Sequence, residues 1–570
     1  MAWKLASQIS GKENTGHLPI PKECQSDSDA SDRCNQFFIQ KVISLRENFT
    51  SKPATKVNTF TGPIFKFHNI GAATIKRTLN NLKPKTSYGS DGIPINIYKN
   101  GQQALVLPLM HLTNLIISKR VWPSQWKESV ILPTLKSNKP PGILSSYRPV
   151  VNLCSVSKIV ERVLYDQMVQ YLDDSGVIPH EQHGFRRGRS TDTALATLFS
   201  RIAQAQDQSL KIGLSAFDYS AAFDLVAWEV LESKLGWACC HAKSLLKSYM
   251  SNRTQKVQWN SSVSKVLPTN FGVPQGSILA PLLFIILTGD LAGSVLTGTD
   301  PKTKSAIIQY ADDTSGLSAS KSWEVTEATL SAMGKSLESY SQKNQLHINM
   351  SKTQNMLLGH STTKSSDSLN ILGVTIDPRL NFSSHHEALL SDLRRRLGVI
   401  RRLKCQMARG KLLNEVAQSL VVGRLQCNAW ITRHARVNQE GEQPTSRDKA
   451  QILLNDLART LLGVKRADHF RTEDLMDRSK LPTLNEIVVR QAALNSWKAV
   501  NGGALAEFLQ PFDSRSRAAE CNLRRPVSWR CTAITNMANC WNSSELLRNA
   551  KTISEARSAA RKLANSVRHK

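Results

Sequence analysis

Two neighbouring aspartates, Asp312 and Asp313, close the apolar run of IIQYADDTSG (307–316), and a third, Asp218, closes IGLSAFD (212–218). In the latter, Ile212, Leu214 and Ala216 alternate with their neighbours, the period of a half-buried strand. Adjacent carboxylates repel each other, and burying either costs several kcal/mol unless a cation neutralises it. A strand that delivers Asp-Asp into a turn leaves two choices. The pair caps an ordinary turn, as Asp often does, or the chain folds so that strand ends converge on a hard cation. Carboxylate oxygens suit Mg²⁺, with Mn²⁺ as a substitute, and Mg²⁺ keeps waters and substrate phosphates in its shell. Two such ions about 3.5–4 Å apart can activate a hydroxyl and stabilise departing pyrophosphate.

Charge narrows the partner. The chain has 570 residues with 74 Lys+Arg against 45 Asp+Glu, a formal +29. Such an excess points to a polyanion, with nucleic acid first. Length sets a prior of about three to five domains. No run approaches the roughly 18 apolar residues of a spanning helix, and the longest, 278–287, is interrupted by Pro281. The first ten residues, MAWKLASQIS, lack a secretory pattern. The expectation is an intracellular protein, not secreted and without a membrane, in cytoplasm or nucleus. The 10 Cys match no metal spacing and read as reduced, mostly buried thiols.

The first sixty residues are polar and weakly periodic, and QSDSDASD (25–32) reads as a loop or disordered link. Helical patterns follow over 75–82 and 104–117, separated by the Gly/Pro-rich KTSYGSDGIP (85–94). Residues 129–135 and 147–153 read as strands joined by a basic loop, a hairpin with a positively charged tip. Val156, Ile159, Val160, Val163, Leu164 and Met168 mark the buried face of a helix. Strands are expected over 211–217 and 306–310, helices over 228–235 and 243–249, and a hairpin over 257–266. ILGVTI (371–376) reads as one more strand. Leu389, Leu393, Leu397, Ile400 and Leu403 form a helical stripe, and from about Ala408 the pattern is nearly all helical, with a linker-like break at 513–522.

Seven blocks occur in a fixed order: SYRPVVNLCSVSKIVERVL (146–164), HGFRRGRSTDTAL (183–195), AFDYSAAFD (216–224), GVPQGSILAPLLF (272–284), YADD (310–313), LHINMSKT (346–353) and ILGVTID (371–377). Together they resemble the reverse transcriptase of a non-LTR (LINE-type, jockey-like) retrotransposon. The resemblance implies an α+β right-hand polymerase of fingers, palm and thumb, with an antiparallel palm sheet and a mainly helical C-terminal region. It divides the chain into an N-terminal extension (1–84), fingers and start of palm (85–210), palm (211–377), thumb (378–425) and helical region (426–570). The implied activity is RNA-directed DNA synthesis on an RNA template from a DNA primer with dNTPs. The sequence sets no oligomeric state.

The resemblance also assigns residues. Asp218, Asp312 and Asp313 hold the two Mg²⁺ ions; Asp224, six residues on, reads as structural. Phe223 excludes a ribonucleotide's 2′-hydroxyl, where the residues alone allow a plain core ring. Gln275 touches the incoming nucleotide and Gly276 lets backbone approach it; an ordinary turn is the bland alternative. Arg148 grips the triphosphate with Lys136 and Lys139 as helpers. Lys352 is a general acid for pyrophosphate, or a surface charge. Arg186, Arg187 and Arg189 form a basic loop against template or primer phosphates. Arg394, Arg395, Arg401 and Arg402 line a thumb helix facing the duplex backbone, with Arg396 and Lys404 nearby.

Elements of this class usually carry an endonuclease ahead of the polymerase, and the roughly 85 residues before the first motif are too few for one. No RNase H pattern or Cys/His knuckle follows the thumb. The rival reading is an inactive or domesticated nucleic-acid-binding fragment of such an element.

Overall fold

The computed structural model describes residues 17–49, 60–136, 139–297, 300, 302–360, 367–406, 410–432, 448–501 and 532–567. The basic hairpin forms from β1 (Glu128–Leu135) and β2 (Tyr147–Asn152), antiparallel with Leu135 opposite Tyr147. A four-stranded sheet is built around β3 (Lys211–Phe217). The alternation of Ile212, Leu214 and Ala216 sends those side chains to a core shared with the Thr191–Asp207 helix. Gly213 and Phe217 face the opposite way, toward the Trp323–Lys343 helix, where a Cβ on Gly213 would come within 2.5 Å of Leu330. Both faces of the sheet are therefore covered.

Strand β4 (Arg253–Trp259) and the short β5 (Ser262–Val263) give the expected hairpin around Asn260. β4 also pairs in parallel with β1 and antiparallel with β6 (Leu267–Thr269). The stretch 253–269, placed by sequence in the unit 211–377, is thus part of the first sheet. Sequence proximity misled there: β1 offered a free edge, and the later hairpin filled it.

The four-stranded sheet runs β7 (Lys304–Tyr310), β8 (Asp313–Ser320), β3, β9 (Gln354–Leu358), every pair antiparallel. β8, DTSGLSAS, was not legible as a strand because its residues are small and mostly polar. It is the inner strand between β7 and β3, and Thr314 through Ser320 are all buried. A Cβ on Gly316 would touch Met333 and Phe217 at 3.2 and 3.3 Å, so small residues are what this layer admits. ILGVTI departs from the single strand expected: β10 (Leu369–Ile371) and β11 (Val374–Ile376) fold back on each other. Leu372 and Gly373, at φ 50° and 80°, form the two-residue turn that permits this.

The largest correction lies near the start. QSDSDASD begins a helix, Asp27–Glu47, with Ser26 as N-cap accepting from the Asp29 N–H and with Asp27 and Asp29 in the favourable first turn. Its Ala30, Cys34 and Phe38 pack with Ile131, Tyr147, Val257 and Trp259 of the first sheet. Buried Asn35 donates to Ser264 Oγ at 3.0 Å and to the Lys265 carbonyl at 2.9 Å, and accepts from Gln255 Nε2 at 2.8 Å. An alternation of Asp and Ser hides a helix start from composition, since those residues also favour turns.

The apolar stripe from Leu389 forms the Ser383–Gln406 helix. Its core continues without interruption into helices Lys449–Leu462, Leu484–Asn501, Thr532–Asn542 and Ile553–Ser566, and into the Thr191–Asp207 helix. Trp430 fastens this layer, donating through Nε1 to Asp192 at 3.0 Å. The expected break at 513–522 lies outside the described residues. No described helix is long and apolar enough to cross a membrane.

Replacing Asn35 by Ala strands several buried partners at once. It should lower the free energy of opening the first helix by about 1–3 kcal/mol. Amide exchange across 27–47 should quicken while β3 stays protected; unchanged exchange in that helix would contradict the assignment.

Candidate active site

Backbone register assembles the acidic centre. β3 pairs Phe217 with Thr314 of β8, and Asp313, which opens β8, pairs back across the turn with Tyr310 of β7. Asp218, one step past Phe217, therefore comes level with Asp313 at the same end of the sheet. The turn needs support, because Ala311 sits at φ 57°, a left-handed conformation costing about 1–2 kcal/mol for a residue with a Cβ. Gln182, fully buried, supplies it: Oε1 accepts the N–H groups of Ala311 at 2.9 Å and Gly184 at 2.8 Å. His183 donates to the Gln309 carbonyl at 2.8 Å, and Gln309 donates to the Glu181 carbonyl at 2.9 Å. A Cβ on Gly184 would lie 2.3 Å from the Ala311 nitrogen, so glycine is required where this loop meets the turn.

Segment 347–349 borders Asp218 on the other side. Asn349 N–H donates to the Asp218 carbonyl and Ser220 N–H to the His347 carbonyl, both at 2.8 Å. The next turn sets Lys352 Nζ 2.9 Å from Asp218 Oδ2. That ammonium is the local compensation. Loss of water raises the carboxyl of Asp313 to about 6, with the charges of Asp312 and Asp218 adding to it. Asp312 is raised as well, by burial first and by Asp218, against a lowering hydrogen bond from backbone. Among the described residues no group of three acidic, His or Cys side chains forms a ready-made metal cage. The donor set nonetheless fits a divalent cation: three hard carboxylates at one sheet end, mutually repelling, with one of them drawn to a lysine.

Across from the acids, Ala222–Leu225 forms a short helical turn. Its Phe223 stacks on Phe284 at 4.7 Å and meets Phe185 edge-on at 6.5 Å. The loop before the Ala280–Leu287 helix is laced to this turn: Gly272 donates to the Val226 carbonyl at 2.8 Å and Val273 to the Phe223 carbonyl at 2.9 Å. Gln275 Nε2 donates to Asp224 Oδ1 at 2.6 Å. Gly276, at φ 87°, would put a Cβ 2.7 Å from the Val151 carbonyl, so this loop lies flush against β2. Behind it, fully buried Glu161 accepts from Ser157 Oγ at 2.8 Å and from the Ile278 N–H at 2.7 Å. Burial pushes its carboxyl up while these bonds pull it down. A carboxylate there satisfies N–H groups at the entry to the apolar helix.

Residues 136–376 match the family described as reverse transcriptase (RNA-dependent DNA polymerase). This stretch is a reverse transcriptase domain. The chain is 30% identical over 330 residues to the probable RNA-directed DNA polymerase from transposon BS of Drosophila melanogaster, covering 55% of this chain and 36% of that protein. It is 28% identical over 293 residues to the RNA-directed DNA polymerase from mobile element jockey of the same organism, covering 48% and 31%. The likeness to LINE-type, jockey-like elements read from the motifs therefore holds. The chain spans about a third of the length of the curated relatives it matches. A solved telomerase from Candida tropicalis overlaps at TM-score 0.33 and 12% identity, over 51% of this chain and 61% of that one.

Outside the acidic centre the cations are unevenly distributed. Arg148 is exposed on β2, opposite Thr134. Lys136, whose Nζ donates to the Ser145 carbonyl at 2.7 Å, lies within electrostatic reach of Arg148, Lys139 and Lys352. The trio Arg186, Arg187 and Arg189 is split. Arg186 donates to the Pro179 carbonyl at 2.6 Å and Arg189 to the His180 carbonyl, so both brace the loop that carries Gln182, and Arg187 is the exposed member. On the Ser383–Gln406 helix, Arg395 and Arg396 pair with Asp392 at 3.2 and 2.9 Å, and Arg401 approaches Asp456 at 3.9 Å. Arg394 and Arg402 are exposed.

Sequence reasoning missed Gln182 and Glu161, and it read Asp224 as structural without naming its partner Gln275. Glu161 and Asp224 each had a signal, an acid amid apolar residues inside a motif. Gln182 had only its place before His183-Gly184.

His183 offers a check on this bracing. Burial, aided by Arg189 and Arg186, lowers its pKa to about 3. The unfolded chain takes up that proton near pH 6.5, so stability should fall as pH drops from 6.5 toward 3, by at most about 1.4 kcal/mol per pH unit. Replacing His183 by Gln should flatten the pH profile of the denaturant midpoint across that window. An equally steep profile would refute the burial argument.

Proposed function

We propose that the chain is an RNA-directed DNA polymerase of a non-LTR retrotransposon, adding dNMP from a dNTP to a primer 3′-hydroxyl on an RNA template. The observation that carries this is the convergence of Asp218 with the Tyr310–Asp313 turn, facing a loop in which Gln275 and Phe223 are laced together. We assign the four-stranded sheet as palm, the first sheet and its helices as fingers, and the Ser383–Gln406 helix as thumb.

In the reaction the primer 3′-hydroxyl gives up its proton to solvent water, its oxygen forms a bond to the α-phosphorus, the bond to the bridging oxygen breaks, and pyrophosphate leaves. Asp218, Asp312 and Asp313 would hold Mg²⁺, which would supply charge neutralisation and make the attacking hydroxyl more acidic. Lys352, beside Asp218, keeps an ammonium proton ready for the departing pyrophosphate. Arg148, Lys136 and Lys139 bind the triphosphate. Phe223, immobilised between Phe284 and Phe185, presents a ring that leaves no room for a 2′-hydroxyl. Asp224 occupies the Gln275 amide, which leaves Oε1 for the nucleotide. Exposed Arg187, Arg394 and Arg402 are the groups available to duplex phosphates.

Purified protein with Mg²⁺ should extend oligo(dT) on poly(rA). Asp312→Asn should reduce incorporation at least about 100-fold, since a metal-bound carboxylate is lost; activity that survives it would overturn the metal assignment. Replacing Phe223 by Ala should raise ribonucleotide incorporation about tenfold or more relative to deoxynucleotide, a gap of about 1.4 kcal/mol. Unchanged selectivity would remove the exclusion role. Nucleic-acid binding without any extension would favour the inactive-fragment reading.

A further inference from the structure

The first helix does more than cover the first sheet. Cys34, Phe38, Lys41 and Leu45 follow one another at i, i+4, i+7 and i+11, so Lys41 lies on the packed face. Lys41 is nevertheless exposed, whereas Cys34 and Phe38 are buried. The anchors on either side explain it. Phe38 rests on the first sheet beside Tyr147, the neighbour of Arg148. Arg46 is fixed at the other end, donating to the Leu225 carbonyl at 3.2 Å and Gln345 Oε1 at 2.6 Å, its guanidinium 3.6 Å from the centre of the Phe271 ring. Leu225 follows Asp224. The helix bridges from the hairpin of Arg148 to the turn of Phe223, and Lys41 lies exposed between these two anchors.

Charge of one sign gathers around Lys136. Lys41 and Lys136 lie within electrostatic range of each other, and Lys136 also feels Arg148, Lys139 and Lys352; burial first, then these cations, holds its ammonium below the usual lysine range. Lys41 also lies within electrostatic range of Asp224, which is engaged by Gln275. Asp218 is engaged by Lys352. Lys41, Lys136, Lys139 and Arg148 form no ion pair among the described residues. Lys136 and three cations within its electrostatic range, Lys41, Lys139 and Arg148, from three chain segments and without an ion pair among the described residues, make an anion site.

We propose that Lys41 binds the polyphosphate of the incoming nucleoside triphosphate, so that the first helix supplies a wall of the nucleotide pocket. The anion site stands on the geometry of the helix; its identification with a nucleotide rests on the polymerase reading. A triphosphate is favoured over template backbone because Lys41 neighbours the Asp224–Gln275 pair.

The test uses the full chain with Mg²⁺·dTTP and, separately, sodium tripolyphosphate. Lys41→Ala should weaken dTTP binding about tenfold, the factor expected for one charge-assisted hydrogen bond. In primer extension it should raise the dTTP KM similarly with kcat nearly unchanged, and Lys41→Arg should restore both. Arg33→Ala, two turns away and paired to Asp29, should leave both unchanged. dTTP and tripolyphosphate should each protect Lys41 from acetylation, read by mass spectrometry. An unchanged dissociation constant in Lys41→Ala, or equal acetylation at saturating dTTP, overturns the proposal. So does a loss confined to primer–template affinity, or a wild-type chain that binds no dTTP. Wild-type protein that binds dTTP through Lys41 but extends nothing would instead remove the polymerase reading and leave the site standing.

Discussion

Electrostatic repulsion among Asp218, Asp312 and Asp313 is the constraint around which the rest is arranged. Nothing in the sheet itself relieves it. Antiparallel register forces the three to one end of the sheet, and buried neighbours strip water from two of them. A fold that tolerated this for no purpose would have relaxed the turn, yet the turn is braced. Gln182 holds a left-handed alanine, Gly184 lets the bracing loop close in, and Arg186 and Arg189 fix that loop from behind. Strain concentrated at a supported turn is the pattern of a functional site.

A second layer of positioning surrounds the loop of Gln275. Glu161 satisfies the entry to the Ala280–Leu287 helix, Asp224 fixes Gln275, and Gly276 lies against β2. These contacts tie the first sheet to the turn that follows β3. Arg46 adds a tie to the same turn from the first helix. The cations we propose for the triphosphate come from the hairpin of the first sheet and the acids from the four-stranded sheet, and these laced loops join the two.

The cationic surplus is only partly available for phosphate. Asp392 gathers Arg395, Arg396 and Arg424, and Asp456 gathers Arg459 and Arg466. Such pairs stabilise helix packing modestly and give those arginines a carboxylate that a duplex phosphate would have to displace.

Local pattern determined a good deal: alternation set β3, three-to-four spacing set the helices of 155–175 and 383–406, and the order of seven motifs led to the family. Residue type marked Asp218, Asp312 and Asp313, and the resemblance marked Phe223 and Gln275. Tertiary structure decided what depends on distant partners. β8 is a strand because β7 and β3 flank it, although its Ser, Thr and Gly carry little strand propensity. The edge of β1 recruited a hairpin more than a hundred residues later, and Leu372-Gly373 folded an apparent strand in two. Which arginines remain free, and that Lys41 stands beside residues far along the chain, follow from packing, since charge in a sequence has no direction until neighbours neutralise or expose it.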